Sequence, residues 1–249
     1  MTLYNIFKDF LEGNKDFRTL QQKVGFENSV IWNKLYNFQK DAVLGAINKI
    51  ETYGGCIIAD SVGLGKTFEA LAIIKYYELR NHRVLVLAPK KLRENWLIYR
   101  LNDKRNILAA DRFSYDLLNH TDLSRYTGYS GDINLEHVNW GNYDLVVIDE
   151  SHNFRNNKSR GNKMTRYQRL MEEVIKSGVK TKVLMLSATP VNNRLDDLKN
   201  QISLITGGND SALKETANIK SISITIRMAQ TQYNKWSKLD DTERTTERL

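Results

Sequence analysis

The sequence predicts an α/β fold in which a mostly parallel sheet carries helices on both faces. Three observations lead there. Four short apolar runs, Cys56 to Ala59, Val84 to Ala88, Leu145 to Ile148 and Val183 to Leu186, lack polar alternation, the pattern of strands buried on both sides. Segments with apolar residues at helical spacing separate these runs, as parallel connections require. Between the first run and the helix after it lies Gly63-Leu64-Gly65-Lys66-Thr67, a glycine-rich turn in the context of a phosphate-binding loop.

Taken in order, residues 1–50 read as helical, with Phe7, Phe10 and Leu11, then Ala42, Val43, Ala46, Ile47 and Ile50, at helical spacing. Gly54-Gly55 breaks that pattern ahead of the first strand. The helix from Lys66 to about Leu79 presents Ala70, Leu71, Ile73 and Ile74 on one face. Pro89 stops the second strand, a helix is expected from about Leu92 to Leu101, and Ile107 to Ala110 reads as a further strand. Residues 119–143, rich in Asn, Gly, Asp and Ser, form an irregular excursion. A helix from Thr165 to Ile175 precedes the last strand, and no internal repeat is visible.

Composition narrows the class. Of 249 residues, 41% are hydrophobic and 10% aromatic, which excludes a disordered chain. Two prolines and fourteen glycines exclude collagen-like and Pro-rich architectures. No apolar run approaches the roughly 18 residues of a membrane span, and Met1 to Phe10 lacks a signal-peptide core. The single cysteine, Cys56, suits a reducing compartment. The net charge of +8 is uneven: residues 75–112 carry +6, 113–150 carry −6 and 151–182 carry +7. A basic block is either a phosphate-contacting surface or a solvated helix face, and charge alone does not separate the two.

The chemistry-bearing residues lie at predicted strand ends. Gly63 and Gly65 let backbone N–H groups approach phosphate oxygens at a helix N-terminus, Lys66 reaches the β- and γ-phosphates, and the Thr67 hydroxyl binds Mg²⁺. Asp60 stands where such a loop normally opens with glycine. At the end of the 145–148 strand, Asp149 is placed to face Mg²⁺ through coordinated water, and Glu150 to orient and deprotonate an attacking water. Ser187-Ala188-Thr189-Pro190 ends the last strand with two small hydroxyls, and Gln39 has the donor and acceptor that pair with an adenine edge.

The order of these elements resembles the first motor lobe of helicase superfamily-two ATPases, closest to the SWI/SNF-type translocases, from about Tyr36 to Thr206. In that family Asp-Glu-x-Gly-Leu-Gly-Lys-Thr is the nucleotide loop, so Asp60 fits; Val62 replaces the more usual Met, and Ser151 the commoner Ala or Gly of the DEAH-type box. The resemblance implies a RecA-like lobe over 36–206, a helical extension over 1–35, and a segment 207–249 leading toward a second lobe that this chain lacks. It implies that Gln39, Asp60, Gly63, Leu64, Gly65, Lys66, Thr67, Asp149 and His152 hold ATP, with Mg²⁺ at Thr67 and Asp149. It further implies catalysis by Glu150 and Lys66, coupling through Ser187 and Thr189, and nucleic acid, duplex DNA first, beside Val86 to Lys90. Position and charge add Lys90, Lys91 and Arg93 as the phosphate contacts. The function so implied is an ATP-hydrolysing lobe of a DNA translocase, weak on its own. An RNA helicase lobe of DEAD/DEAH type and a nucleotide-binding module without turnover are the alternatives. The implied setting is cytoplasmic and nucleoid-associated in a prokaryote or nuclear in a eukaryote, without a membrane, and a bacterial or phage defence complex fits it.

Overall fold

In the computed structural model the described residues are 25–60, 63–154, 164–189 and 195–239. Helices α1 (Val30–Lys34) and α2 (Asn37–Tyr53) lead into β1 (Gly55–Ile58), followed by α3 (Lys66–Glu78) and β2 (Val84–Ala88). Next come α4 (Arg93–Leu97), β3 (Asp116–Asn119), a hairpin of β4 (Tyr129–Ser130) and β5 (Ile133–Asn134), and β6 (Leu145–Ile148). Helix α5 (Arg166–Arg169) runs on as a π-helical stretch, Leu170–Ile175, into β7 (Lys182–Leu186). Helices α6 (Leu195–Ile205), α7 (Lys214–Ala217) and α8 (Ile222–Trp236) close the order.

The main sheet has five strands in the order β1-β7-β6-β2-β3, and every pairing is parallel. Its alternating side chains feed two cores. Val84, Val86, Ala88, Leu145, Val147, Leu184 and Leu186 face one side, with Ile47, Leu71, Ile74 and Trp96. Leu85, Leu87, Val146, Ile148, Val183 and Met185 face the other, with Phe154, Leu170, Val174 and Leu204. Both faces are apolar, which is why these strands read as unbroken hydrophobic runs. Gly55 is required by packing: a Cβ there would meet Val183 O at 2.5 Å and Ile205 Cγ1 at 2.8 Å. Among the described residues no helix is long and apolar enough to cross a membrane.

Several expectations change. Ile107 to Ala110 is not a strand: Ile107 is exposed, Leu108 turns inward, and a 3₁₀ turn covers Ala109–Asp111. That turn aims the Asp111 carboxylate at the first turn of α1, where it accepts Val30 N at 2.8 Å and Ile31 N at 2.7 Å. The strand beside β2 is instead β3, registered Leu85 opposite Asp116. The helix expected from Leu92 to Leu101 shrinks to α4 between the 3₁₀ turns Lys90–Leu92 and Ile98–Arg100. The 119–143 excursion carries the β4–β5 hairpin and two 3₁₀ turns, His120–Ser124 and Leu135–His137. Phe26, Ile31 and Trp32 pack into the main core. Phe7, Phe10, Leu11, Ser61, Val62, Pro190 and the run from Arg155 to Lys163 lie outside the described residues.

One buried titratable group sits under the sheet's carboxyl edge. His120 Nε2 lies 3.2 Å from Leu87 O, and its ring meets Phe154 edge to face at 4.8 Å between centroids. Burial pushes its pKa down to about 4 from an ordinary 6.5. The unfolded chain therefore binds the extra proton first, so the stability His120 contributes is full above pH 6.5 and is lost as pH falls toward 4. The expected loss from this group is about 2 kcal/mol between pH 7.5 and pH 5. Chemical denaturation of the wild type and of His120→Gln at both pH values measures it; equal pH dependence in the two proteins would exclude His120 as its source.

Candidate functional site

A glycine loop joins β1 to α3. Gly63 and Gly65 both have φ of +88°, and a Cβ on Gly65 would collide with the Gln39 amide. That double requirement explains glycine at position 65. Phe68 N and Glu69 N bond back to Gly65 O at 2.8 and 3.2 Å, so α3 starts tightly at the loop with its positive end facing outward. Lys66 Nζ donates to Asp60 O at 2.7 Å, bracing the loop across its mouth. Gln39 is buried, its Oε1 accepting Tyr36 N at 3.1 Å and its Nε2 donating to Leu64 O at 3.0 Å. It therefore caps α2 and props the loop from behind.

The carboxylate pair follows β6. Asp149 N bonds Leu87 O at 2.9 Å, extending the strand's ladder by one residue. Its Oδ2 accepts Trp96 Nε1–H at 2.9 Å and its Oδ1 accepts Glu150 N at 2.9 Å. Burial raises the Asp149 pKa, opposed by the Trp96 indole N–H; the Glu150 charge raises it further. Glu150 has a left-handed backbone, φ +49°, a conformation that non-glycine residues hold mainly where structure dictates it. Its Oε2 lies 3.1 Å from His152 Nδ1. Ser151 is buried with its hydroxyl on Gln201 of α6 at 3.0 Å, which explains a small residue there.

These two motifs meet on one cavity of about 650 Å³, whose lining includes Gly63, Gly65, Lys66, Thr67, Asp149 and Glu150. Of the other expected residues, Gln39, Asp60, Leu64 and His152 stand behind or beside this lining. Ser187 continues β7, with its N–H on Ile58 O at 3.1 Å and its hydroxyl accepting Thr189 N at 3.2 Å. The donor set facing the cavity at Thr67 and Asp149 is oxygen only, which fits a hard cation that keeps most of its waters.

The basic residues divide. Lys90 and Lys91 are exposed on the 3₁₀ turn that follows β2, at the same carboxyl edge of the sheet as the nucleotide loop. Arg93 differs from the expectation: its guanidinium turns inward, donating to Leu117 O at 3.1 Å and Ser130 Oγ at 3.4 Å. It ties α4 to β3 and to the hairpin.

Two residues escaped the sequence. Trp96, fully buried, is one, and only the need of a buried indole N–H for an acceptor signals it. Glu69 is the other: it is fully buried behind the loop, and neither carboxylate oxygen has a hydrogen-bond partner among the described residues. Burial, with the Asp60 charge, raises its pKa to about 7.

A glycine loop between strand and helix, with an acidic pair at the end of a parallel strand one removed from it across β7, is the arrangement of a P-loop nucleotide-binding lobe. The family described as Type III restriction enzyme, res subunit, matches residues 33–192, and the chain belongs to it. An uncharacterized ATP-dependent helicase, YqhH of Bacillus subtilis, is 33% identical over 62% of this chain and 27% of its own length. The mouse DNA annealing helicase and endonuclease ZRANB3 is 28% identical over 69% of this chain and 16% of its own. The Sulfolobus solfataricus SWI2/SNF2 ATPase core, solved in complex with dsDNA, shares the fold with a TM-score of 0.54 at 20% identity, over 81% of this chain and 42% of that one. The chain thus spans about a quarter or less of the curated relatives' lengths.

Proposed function

We propose that this chain is the ATP-binding and hydrolysing lobe of a motor that translocates on duplex DNA. The observation that carries the reading is the convergence of Lys66, Thr67, Asp149 and Glu150 on one cavity, with Lys90 and Lys91 on the same sheet edge. On nucleotide binding, Lys66 exchanges the Asp60 carbonyl for β- and γ-phosphate oxygens, and the N-terminus of α3 adds its N–H groups. Thr67 and Asp149 would hold Mg²⁺, which neutralises phosphate charge when bound. Glu150, which lines the cavity, orients the attacking water and takes its proton. Ser187 and Thr189 pass the phosphate state toward the second lobe. ZRANB3 and the dsDNA-bound SWI2/SNF2 core support duplex DNA as the partner. The setting is DNA-associated, in a prokaryotic cytoplasm or a eukaryotic nucleus, and a bacterial or phage defence complex is compatible with it.

The test is the salt dependence of binding. Each cation that neutralises a phosphate adds about 0.9 to the log–log slope on duplex DNA, so replacing Lys90 and Lys91 together by alanine should flatten it by about 1.8. Fluorescence anisotropy of a labelled duplex at several salt concentrations reads the slope. An unchanged slope would return both lysines to the solvated surface. Tighter binding to single-stranded RNA than to duplex would favour the RNA helicase alternative.

A further inference from the structure

Helix α4 joins the exposed Lys90–Leu92 turn to the buried side of the acidic pair. Its five residues make about one and a half turns, too short to bend within itself. In its second half, Trp96 is fully buried, with its indole N–H on Asp149 Oδ2 at 2.9 Å. The Trp96 carbonyl accepts the Tyr115 hydroxyl at 2.5 Å, and the two rings meet edge to face at 6.1 Å between centroids. Arg93 holds one end of the segment to Leu117 O, and Arg100, on the turn after α4, pairs with Asp132 at 3.5 Å. The other Asp149 oxygen holds Glu150 N, so any movement of that carboxylate carries the backbone of Glu150 with it.

We propose that Trp96 is a positioning residue through which nucleic acid on the Lys90–Lys91 turn sets the orientation of Asp149, and with it Glu150. The proposal rests on the cavity being a nucleotide site and on that turn meeting DNA. A buried indole N–H has no water to turn to, so a shift of α4 either drags the Asp149 carboxylate or breaks the bond at a cost. Phosphates that draw the turn outward therefore act on the acidic pair through one donor. DNA-stimulated turnover follows without any contact between DNA and the nucleotide.

The experiment uses the indole itself. In ¹⁵N-labelled chain, Trp96→Phe identifies the Trp96 Nε1–H resonance among those of the four tryptophans. Adding a short duplex without nucleotide should shift that resonance, and Lys90→Ala with Lys91→Ala should abolish the shift. Anisotropy on the same duplex reports binding independently. Binding with an unmoved Trp96 resonance overturns the relay and leaves the DNA reading intact; absence of binding overturns the DNA reading and the relay built on it. In the two-lobe protein, Trp96→Phe should hold DNA and ATP affinity within about twofold while the ratio of stimulated to basal turnover falls about tenfold. Trp96→His, which keeps a ring N–H donor, should recover part of that ratio. An equal fall of basal and stimulated rates would mark Trp96 as packing alone and refute the proposal.

Discussion

The 249-residue chain alone should turn ATP over about 10³ to 10⁵ times more slowly than the same chain extended through a second lobe. Phosphoryl transfer to water builds charge on the γ-phosphate oxygens, and an arginine delivered from outside the phosphate loop supplies that factor. Among the described residues one arginine, Arg105, reaches the cavity wall. Its guanidinium is already engaged by Asp103, Nε to Oδ1 at 3.0 Å and Nη2 to Oδ2 at 2.8 Å, and that pairing holds the Asp103 carboxyl well below its usual range. Stepping requires in addition that two lobes close and open with nucleotide state. Steady-state phosphate release, with and without duplex DNA, compares the two lengths of chain. Robust DNA-stimulated release by the short chain would point to Arg105 acting in cis or to self-association.

Glu150→Gln in the chain joined to the proposed second lobe should keep ATP affinity and lower turnover by about 10² to 10⁴. The amide is the same size, tolerates the same left-handed backbone and leaves the Glu150 N–H on Asp149 Oδ1, so the cavity keeps its shape. What it loses is the acceptor for the water's proton. Calorimetry for affinity and phosphate release for rate separate the two effects. Turnover that survives the substitution would assign the water to another group.

The strands that hold these residues were legible because burial on both faces leaves no polar alternation, as in Leu145-Val146-Val147-Ile148. The glycine loop between β1 and α3 was legible because Gly63 and Gly65 adopt a positive φ that glycine holds without strain. Strand β3 was hidden: it is an edge strand with polar ends, and Asp116 accepts the Tyr143 hydroxyl at 2.9 Å near the sheet's rim. The apolar run Ile107 to Ala110 misled because Ile107 spends its side chain on solvent. Charge counting grouped Arg93 with Lys90 and Lys91, yet only packing decides which cation turns inward. Trp96 and Asp149 lie 53 residues apart, and no local pattern announces a hydrogen bond across that distance.

Titration calorimetry of ATP with Mg²⁺ into the chain and into Lys66→Ala tests most directly that the cavity is a nucleotide site. The expected result is one ATP per chain, with affinity falling about 10- to 100-fold in the variant, because a charge-assisted bond to phosphate is removed. Equal affinity in the two proteins, or no binding to the wild type, would contradict it.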